Sequence, residues 1–183
     1  MERLEVDNEI VLEILKLSMA ETIFLTIDRD RNYLKQWLPF VNHTKKQTDT
    51  EFFIKSTISD DSQVKNLVFS IHYRNTFAGL ISLKDIDYLN RKTEIGYWLA
   101  EVMQGKGIIT RSVKKMMEYA FRNLNLNRIQ IKVAVGNKKS AAIPSRLGFE
   151  FEGIERDGEF HTYKYFNLET YSFLRKDWID SIK

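Results

Sequence analysis

A chain of 183 residues, 43% hydrophobic and 13% aromatic, has enough apolar mass for one substantial core and is short for two. With 0 cysteines it has no disulfide framework, thiolate metal site or cysteine nucleophile. Its net charge of +3 is too mild for a typical nucleic-acid binder, though it suits an anionic ligand. No apolar run reaches the length of a membrane span and MERLEVDNE lacks the apolar centre of a signal peptide, so a cytoplasmic protein is expected. His43, His72 and His161 stand far apart without HExxH or paired-ligand spacing, so no metal is expected.

Residues 10–16 (IVLEILK) predict a strand. Two short helices follow near 19–28 and 30–37 and end at the aromatic–proline turn WLPF. From Thr48 to Ser59 apolar residues recur at helical spacing, with Thr48 as the expected N-cap and Glu51 completing a capping box. LVFSIHY (67–73), the turn RNT and FAGLISL (77–83) predict a β-hairpin, and EIGYWL (94–99) a third strand. An amphipathic helix then carries Ile109, Val113, Met116, Met117, Ala120, Phe121 and Leu124 on one face. Arg111, Lys114, Lys115, Glu118 and Arg122 fall on the other. RIQIKVAV (128–135) reads as a strand, and Asn137 to Arg146 as a short helix closed by Gly148. Phe149 packs back on Ile143 or Pro144, as in a Schellman ending. Strands near 149–156 and 163–174 finish the chain. No repeat, low-complexity tract or linker interrupts it, so residues 1–183 read as one domain. The element order suggests a mixed α/β sheet with helices on both faces, not a doubly wound fold.

The stretch QGKGIIT (104–110) places two of only 8 glycines around a lysine where the helix begins. It can be a simple flexible turn. It can also offer bare amides at a helix start to an anion, with Lys106 as a cation and Thr110 as a hydroxyl donor. The P-loop pattern fails because Gly107 is followed by isoleucine, and GxGxxG fails because Thr110 stands at the third glycine.

Together, EIGYWLAEVMQGKGIIT, the long helix and RIQIKVAVGNKKSAAIPSRLGFEFEG resemble the GNAT family of acyl-CoA N-acetyltransferases. Within it they look most like the RimJ/RimL branch, which acetylates protein N-termini and some other amines. The likeness runs from about residue 67 to the closing YSFLRKDW and covers the N-terminal third more loosely. It implies an α/β (α+β) fold whose central sheet is mostly antiparallel, with helices on both faces and a splayed strand pair at the cofactor site. It also implies acetyl-CoA as co-substrate. Gln104, Gly105, Lys106, Gly107, Ile108, Ile109 and Thr110 match the loop for the CoA pyrophosphate. The backbone of Trp98 and Leu99 matches the strand edge for pantetheine, and Asn137 and Ser140 match the NxxS element. Ile109 stands where a small residue is usual, so its side chain is expected in the core. Asn137 serves equally well as an N-cap.

Acetyl transfer to an amine requires a neutral amine, a stabilised oxyanion and a protonated leaving sulfur. Because α-amino groups and lysines have pKa values of about 8 and 10, a carboxylate is needed as proton acceptor. Strand-edge amides would hold the oxyanion. Many GNAT members carry a tyrosine acid seven residues after the asparagine, but that position is Pro144 here. The RimL-like alternative is Ser140, unless that serine only pads a helix surface. Pro144 also cannot donate to the carbonyl of residue 140. Lys132 stands where some members keep a glutamate base. The RimL-like match is Glu159, with Glu94 as runner-up, and either can instead be a solvated surface carboxylate. The acceptor expected first is the α-amino group of a protein, a ribosomal one in this branch. A small amine (aminoglycoside, polyamine or amino acid) and a non-catalytic CoA-binding module remain as alternatives. Neither nucleic acid nor membrane is expected as a direct partner, and a homodimer or higher homo-oligomer is allowed.

Overall fold

The computed structural model describes residues 3–58 and 65–181. Among them the chain runs β1 (Arg3–Glu5), β2 (Ile10–Ile14), α1 (Ala20–Arg29), α2 (Arg31–Leu34) and α3 (Gln47–Thr57). β3 (Leu67–Tyr73), β4 (Thr76–Asp87), β5 (Lys92–Leu99), α4 (Ile108–Arg122) and β6 (Arg128–Ala134) follow. α5 (Lys138–Arg146), β7 (Glu150–His161), β8 (Lys164–Leu174) and α6 (Arg175–Ser181) complete it. The described strands form one sheet in the order β1-β2-β3-β4-β5-β6-β8-β7. All neighbours are antiparallel except β5 and β6.

Both faces of the sheet are covered. On one, Ile108, Ile109, Val113, Met116, Met117, Ala120 and Phe121 of α4 pack over Phe69, Ile71, Ile81, Leu83, Ile129 and Ile131. Each such large side chain contributes roughly 1.5–3 kcal/mol when fully buried. On the other face, Ile23, Ile27, Leu34, Val41 and Ile54 cover Val68, Leu80 and Trp98. Successive strand residues therefore enter opposite cores, which is why LVFSIHY and FAGLISL are nearly continuous apolar runs.

The hairpin turn is tight because Arg74 and Asn75 both take left-handed backbone, at φ 48° and 63°. α5 ends in the expected Schellman motif. Gly148 (φ 78°) donates to Ser145 O at 3.2 Å and Phe149 to Pro144 O at 3.0 Å. The start of α3 differs from expectation. Lys46, not Thr48, is the N-cap, and Asp49 Oδ2 accepts from the amides of Lys45 and Lys46 at 2.8 and 2.9 Å. Glu51 instead accepts from Gln47 Nε2 at 2.9 Å. The expected end of that helix at Ser59 lies outside the described residues.

Candidate active site

The sheet comes apart at its one parallel junction. β5 and β6 pair at Lys92↔Arg128, Thr93↔Ile129 and Glu94↔Gln130 and no further. Beyond that point β5 stays with β4 as far as Leu99, and β6 stays with β8. A gap opens between them, as the family resemblance implies. On β5, Trp98 packs toward α1 and α3, while Ile95, Tyr97 and Leu99 pack toward α4. The gap therefore joins two half-sites on opposite faces.

Backbone polar groups alternate sides along an extended strand. The Ala100 amide donates to Ala78 O of β4 at 2.8 Å, and a Cβ at Gly79 would lie 2.1 Å from the Trp98 carbonyl oxygen. The main chain of Trp98 is thus turned to β4, and those of Tyr97 and Leu99 face the gap. This corrects the expected edge pair: Leu99 belongs to it with Tyr97, and Trp98 contributes its ring to the core instead.

On the α4 side, Gly105 and Gly107 take φ 74° and 68°, values that an L side chain resists. Gly107 is the N-cap of α4, and no side chain caps that helix. First-turn amides and the positive end of the helix dipole therefore look outward. Ile108 and Ile109 are buried, so the bulky residue at the family's small position is absorbed by the core, as expected. Lys106 folds away from this helix start. Its Nζ donates to Val102 O at 3.1 Å and lies 5.6 Å from the centre of the Tyr73 ring. Two cations of α5 reach the loop instead: Lys139 Nζ donates to Gln104 Oε1 at 2.8 Å and Arg146 Nη1 to Thr110 Oγ1 at 2.9 Å. The sequence reading missed both, because on a short polar helix they look like ordinary surface charges. Arg111 ties the loop down. It donates to Lys106 O (3.1 Å), Asp7 Oδ2 (2.8 Å) and Glu9 Oε2 (3.1 Å).

At the gap, Asn137 caps α5 by accepting from the Ser140 amide at 3.2 Å. Ser140 Oγ donates to the Tyr97 hydroxyl at 3.2 Å, and that hydroxyl donates to Ser140 O at 3.2 Å. Burial pushes Tyr97 up to about 12, although the Ser140 contact works the other way.

Opposite lies a cavity of about 770 Å³, whose walls include Trp37, Phe53, Glu94, Tyr97, Ser140 and Glu159. Glu94 and Glu159 share it, but their surroundings differ. Glu94 is ion-paired with Lys84. The Glu159 carboxylate forms no hydrogen bond or ion pair among the described residues, and it is aimed by a bulge. Glu155 pairs with Leu168 and Glu159 with Phe166, so Arg156, Asp157 and Gly158 stand opposite Asn167 alone. Asp157 takes φ 51° and donates from its amide to Asn167 Oδ1 at 2.8 Å. Burial holds the Glu159 carboxyl above the usual range; His161 and Lys84 oppose this and Glu94 reinforces it. Lys132 lines the same cavity, paired with Glu155 at 2.6 Å.

A parted parallel junction, a bare glycine loop at a helix start on one side and an unpaired carboxylate in the cavity on the other are parts that an acyl transfer needs. Residues 10–150 match the acetyltransferase (GNAT) domain model, and the chain belongs to that family. YdaF of Bacillus subtilis (strain 168), provisionally named a ribosomal N-acetyltransferase, is 37% identical over 175 residues, which is 95% of this chain and 96% of its own. Among solved structures, RimL, a ribosomal L7/L12 α-N-protein acetyltransferase in complex with coenzyme A, matches with a TM-score of 0.90 at 25% identity. That match covers 94% of this chain and 98% of RimL. MccE, the microcin C7 self-immunity acetyltransferase in complex with acetyl-CoA and AMP, matches with a TM-score of 0.87 at 32% identity. It covers 92% of this chain and 94% of MccE's. The chain is thus an acetyltransferase and acetyl-CoA is its donor. The left-handed glycines, the uncapped helix start and the free edge at Tyr97 and Leu99 fit that molecule. When bound, it supplies the acetyl group as an activated thioester.

Proposed function

We propose that this protein, acting as one catalytic unit over residues 1–183, acetylates the α-amino group of a ribosomal protein by direct attack on the thioester. The carrying observation is the unpaired, half-buried Glu159 carboxylate, which shares a cavity with Ser140. Turning an ammonium and a thioester into an amide and a thiol releases two protons from nitrogen. One must reach a base and the other the departing sulfur. Glu159 takes the first, helped by a raised affinity for protons, and Ser140 delivers the second. Gln104 to Thr110 hold the pyrophosphate, and Asn137 fixes Ser140. Glu94 is the weaker candidate base because Lys84 already occupies it. The protein acceptor is supported by relatives named for ribosomal substrates, and it implies action in the cytoplasm.

A second reading has one observation in its favour. The cavity wall carries Trp37, Phe40 and Phe53, rings suited to a small amine borne on a planar group, and MccE is described with AMP. Screening ribosomal N-terminal peptides against small amines for CoASH release separates the two. Peptide acetylation at least about tenfold more efficient is expected, and the reverse order would overturn the protein acceptor.

Phe151, Ile154, Phe160 and Tyr165 of the outer hairpin are each more than half exposed beside the edge of β7, which pairs with no further strand among the described residues, and this supports a homodimer. Sedimentation should give twice the chain mass, and a monomer at working concentration would remove that reading.

A further inference from the structure

An aliphatic hydroxyl is a much weaker acid than a thiol, whose pKa is about 8.5. If Ser140 protonates the departing sulfur, it cannot be left as an alkoxide and needs a donor behind it. One stands in place. The Tyr97 hydroxyl lies 3.2 Å from both Ser140 Oγ and Ser140 O. It can hold that carbonyl because residue 144, which would normally donate to it within α5, is a proline with no N–H. Tyr97 takes the place of the missing backbone donor, and this brings a phenol to the serine. The two residues lie 43 positions apart and on different elements.

We propose that Tyr97 is the positioning and proton-relay residue behind Ser140, anchored there by the backbone acceptor that Pro144 frees. At rest Ser140 Oγ donates to Tyr97 and the Tyr97 hydroxyl donates to Ser140 O, so both hydroxyls turn before transfer, Ser140 toward the sulfur and Tyr97 toward Ser140 Oγ. As the Ser140 O–H bond breaks, an S–H bond forms, and the Tyr97 O–H bond breaks as the Ser140 hydroxyl is remade. Tyr97 then recovers its proton from the acylated nitrogen through the cavity that it lines. One proton passes from nitrogen to sulfur and no charge stays on the protein. With a pKa of about 12, Tyr97 keeps its proton throughout the neutral range.

The inference rests on Ser140 as the acid, and the test separates the two. Tyr97→Phe should lower the single-turnover rate by about tenfold or more. Its CoASH dissociation constant, read by calorimetry, should stay within about twofold of the parent's. Ser140→Ala should lose as much, and the double variant no more than either single one, because the groups act in series. In mixtures of light and heavy water the parent rate should curve with deuterium content and that of Tyr97→Phe should be linear. A tyrosine that only clasped Ser140 would leave the shape of that plot unchanged. Pro144→Ala covers the case in which Tyr97→Phe folds poorly. It restores the helix donor, so its melting temperature should rise while the transfer rate falls toward that of Tyr97→Phe. Full rate in Tyr97→Phe, multiplying losses in the double variant, or a more stable Pro144→Ala with undiminished rate would each overturn the relay. An undiminished rate in Ser140→Ala would instead sink the acid reading on which it stands.

Discussion

The donor and acceptor ends of the cleft, as proposed, meet across β5, yet they are built by different means. The donor end is mostly backbone from one short stretch: two left-handed glycines and the first turn of α4. The acceptor end is all side chain and is gathered from distant segments, with Trp37, Phe53, Glu94 and Glu159 brought together by sheet order and by a bulge. A backbone site fails when the main chain cannot take its conformation. A side-chain site fails when one functional group is removed, and it can be retuned without disturbing the fold.

That contrast is broken most severely at Gly107. A valine there would be forced to φ 68° and would cover the amides beside it. With strain of about 1–3 kcal/mol added to lost hydrogen bonds, CoASH affinity should fall on the order of 10³-fold by calorimetry. Equal binding by parent and Gly107→Val would mean that the donor end lies elsewhere.

At the acceptor end, Glu159→Gln should leave CoASH binding intact and lower kcat about 10²-fold near neutral pH. The defect should shrink as pH rises, because the amine then arrives deprotonated. Stability gives an independent sign. Since the folded pKa of Glu159 lies above its unfolded value, the ionised carboxylate costs stability at neutral pH and costs nothing below the unfolded value near 4.5. Glu159→Gln should therefore melt higher than the parent at pH 7 and alike at pH 4. Glu94→Gln breaks the pair with Lys84 and should lose less activity, with little pH dependence. If Glu94→Gln shows the large, pH-rescued defect, the two carboxylates have exchanged roles.

Arg111 tests whether a side chain can serve the backbone end. Its guanidinium fixes the carbonyl between the two glycines, and Asp7 and Glu9 hold it in turn. Arg111→Ala should weaken CoASH binding by roughly tenfold or somewhat more, the low end of what one charge-assisted hydrogen bond is worth, with kcat nearly unchanged. A loss confined to kcat would place Arg111 outside the donor end.

The same division decides what was legible beforehand. α4 announced itself because seven apolar residues at helical spacing all meet one core, and Gly148 marked a helix end with its own local geometry. At α3 the helix starts two residues earlier than the Thr48 signal suggests, with Lys46 as N-cap and Asp49 closing the box by a local contact, because a lysine at that position carries no capping signal of its own. β1 is three residues long, below any detectable alternation, and α6 continues from β8 without a break signal. The edge that Trp98 presents depends on β4, and the fold-back of Lys106 onto Val102 O is completed by the distant Tyr73 ring. Glu159 was reachable only through family likeness, since Arg156, Asp157 and Gly158 shift the strand's alternation before it.

The parting of β5 from β6 leaves a signature in amide hydrogen exchange. The amides of Trp98 and Ala100 face β4, and that of Ala100 is bonded there at 2.8 Å, whereas those of Tyr97 and Leu99 open on the gap. One stretch of four residues should therefore alternate between fast and slow exchange, an odd–even pattern not expected of an ordinary interior strand. Coenzyme A, laid along the open edge, should slow Tyr97 and Leu99 and leave Trp98 and Ala100 as they were.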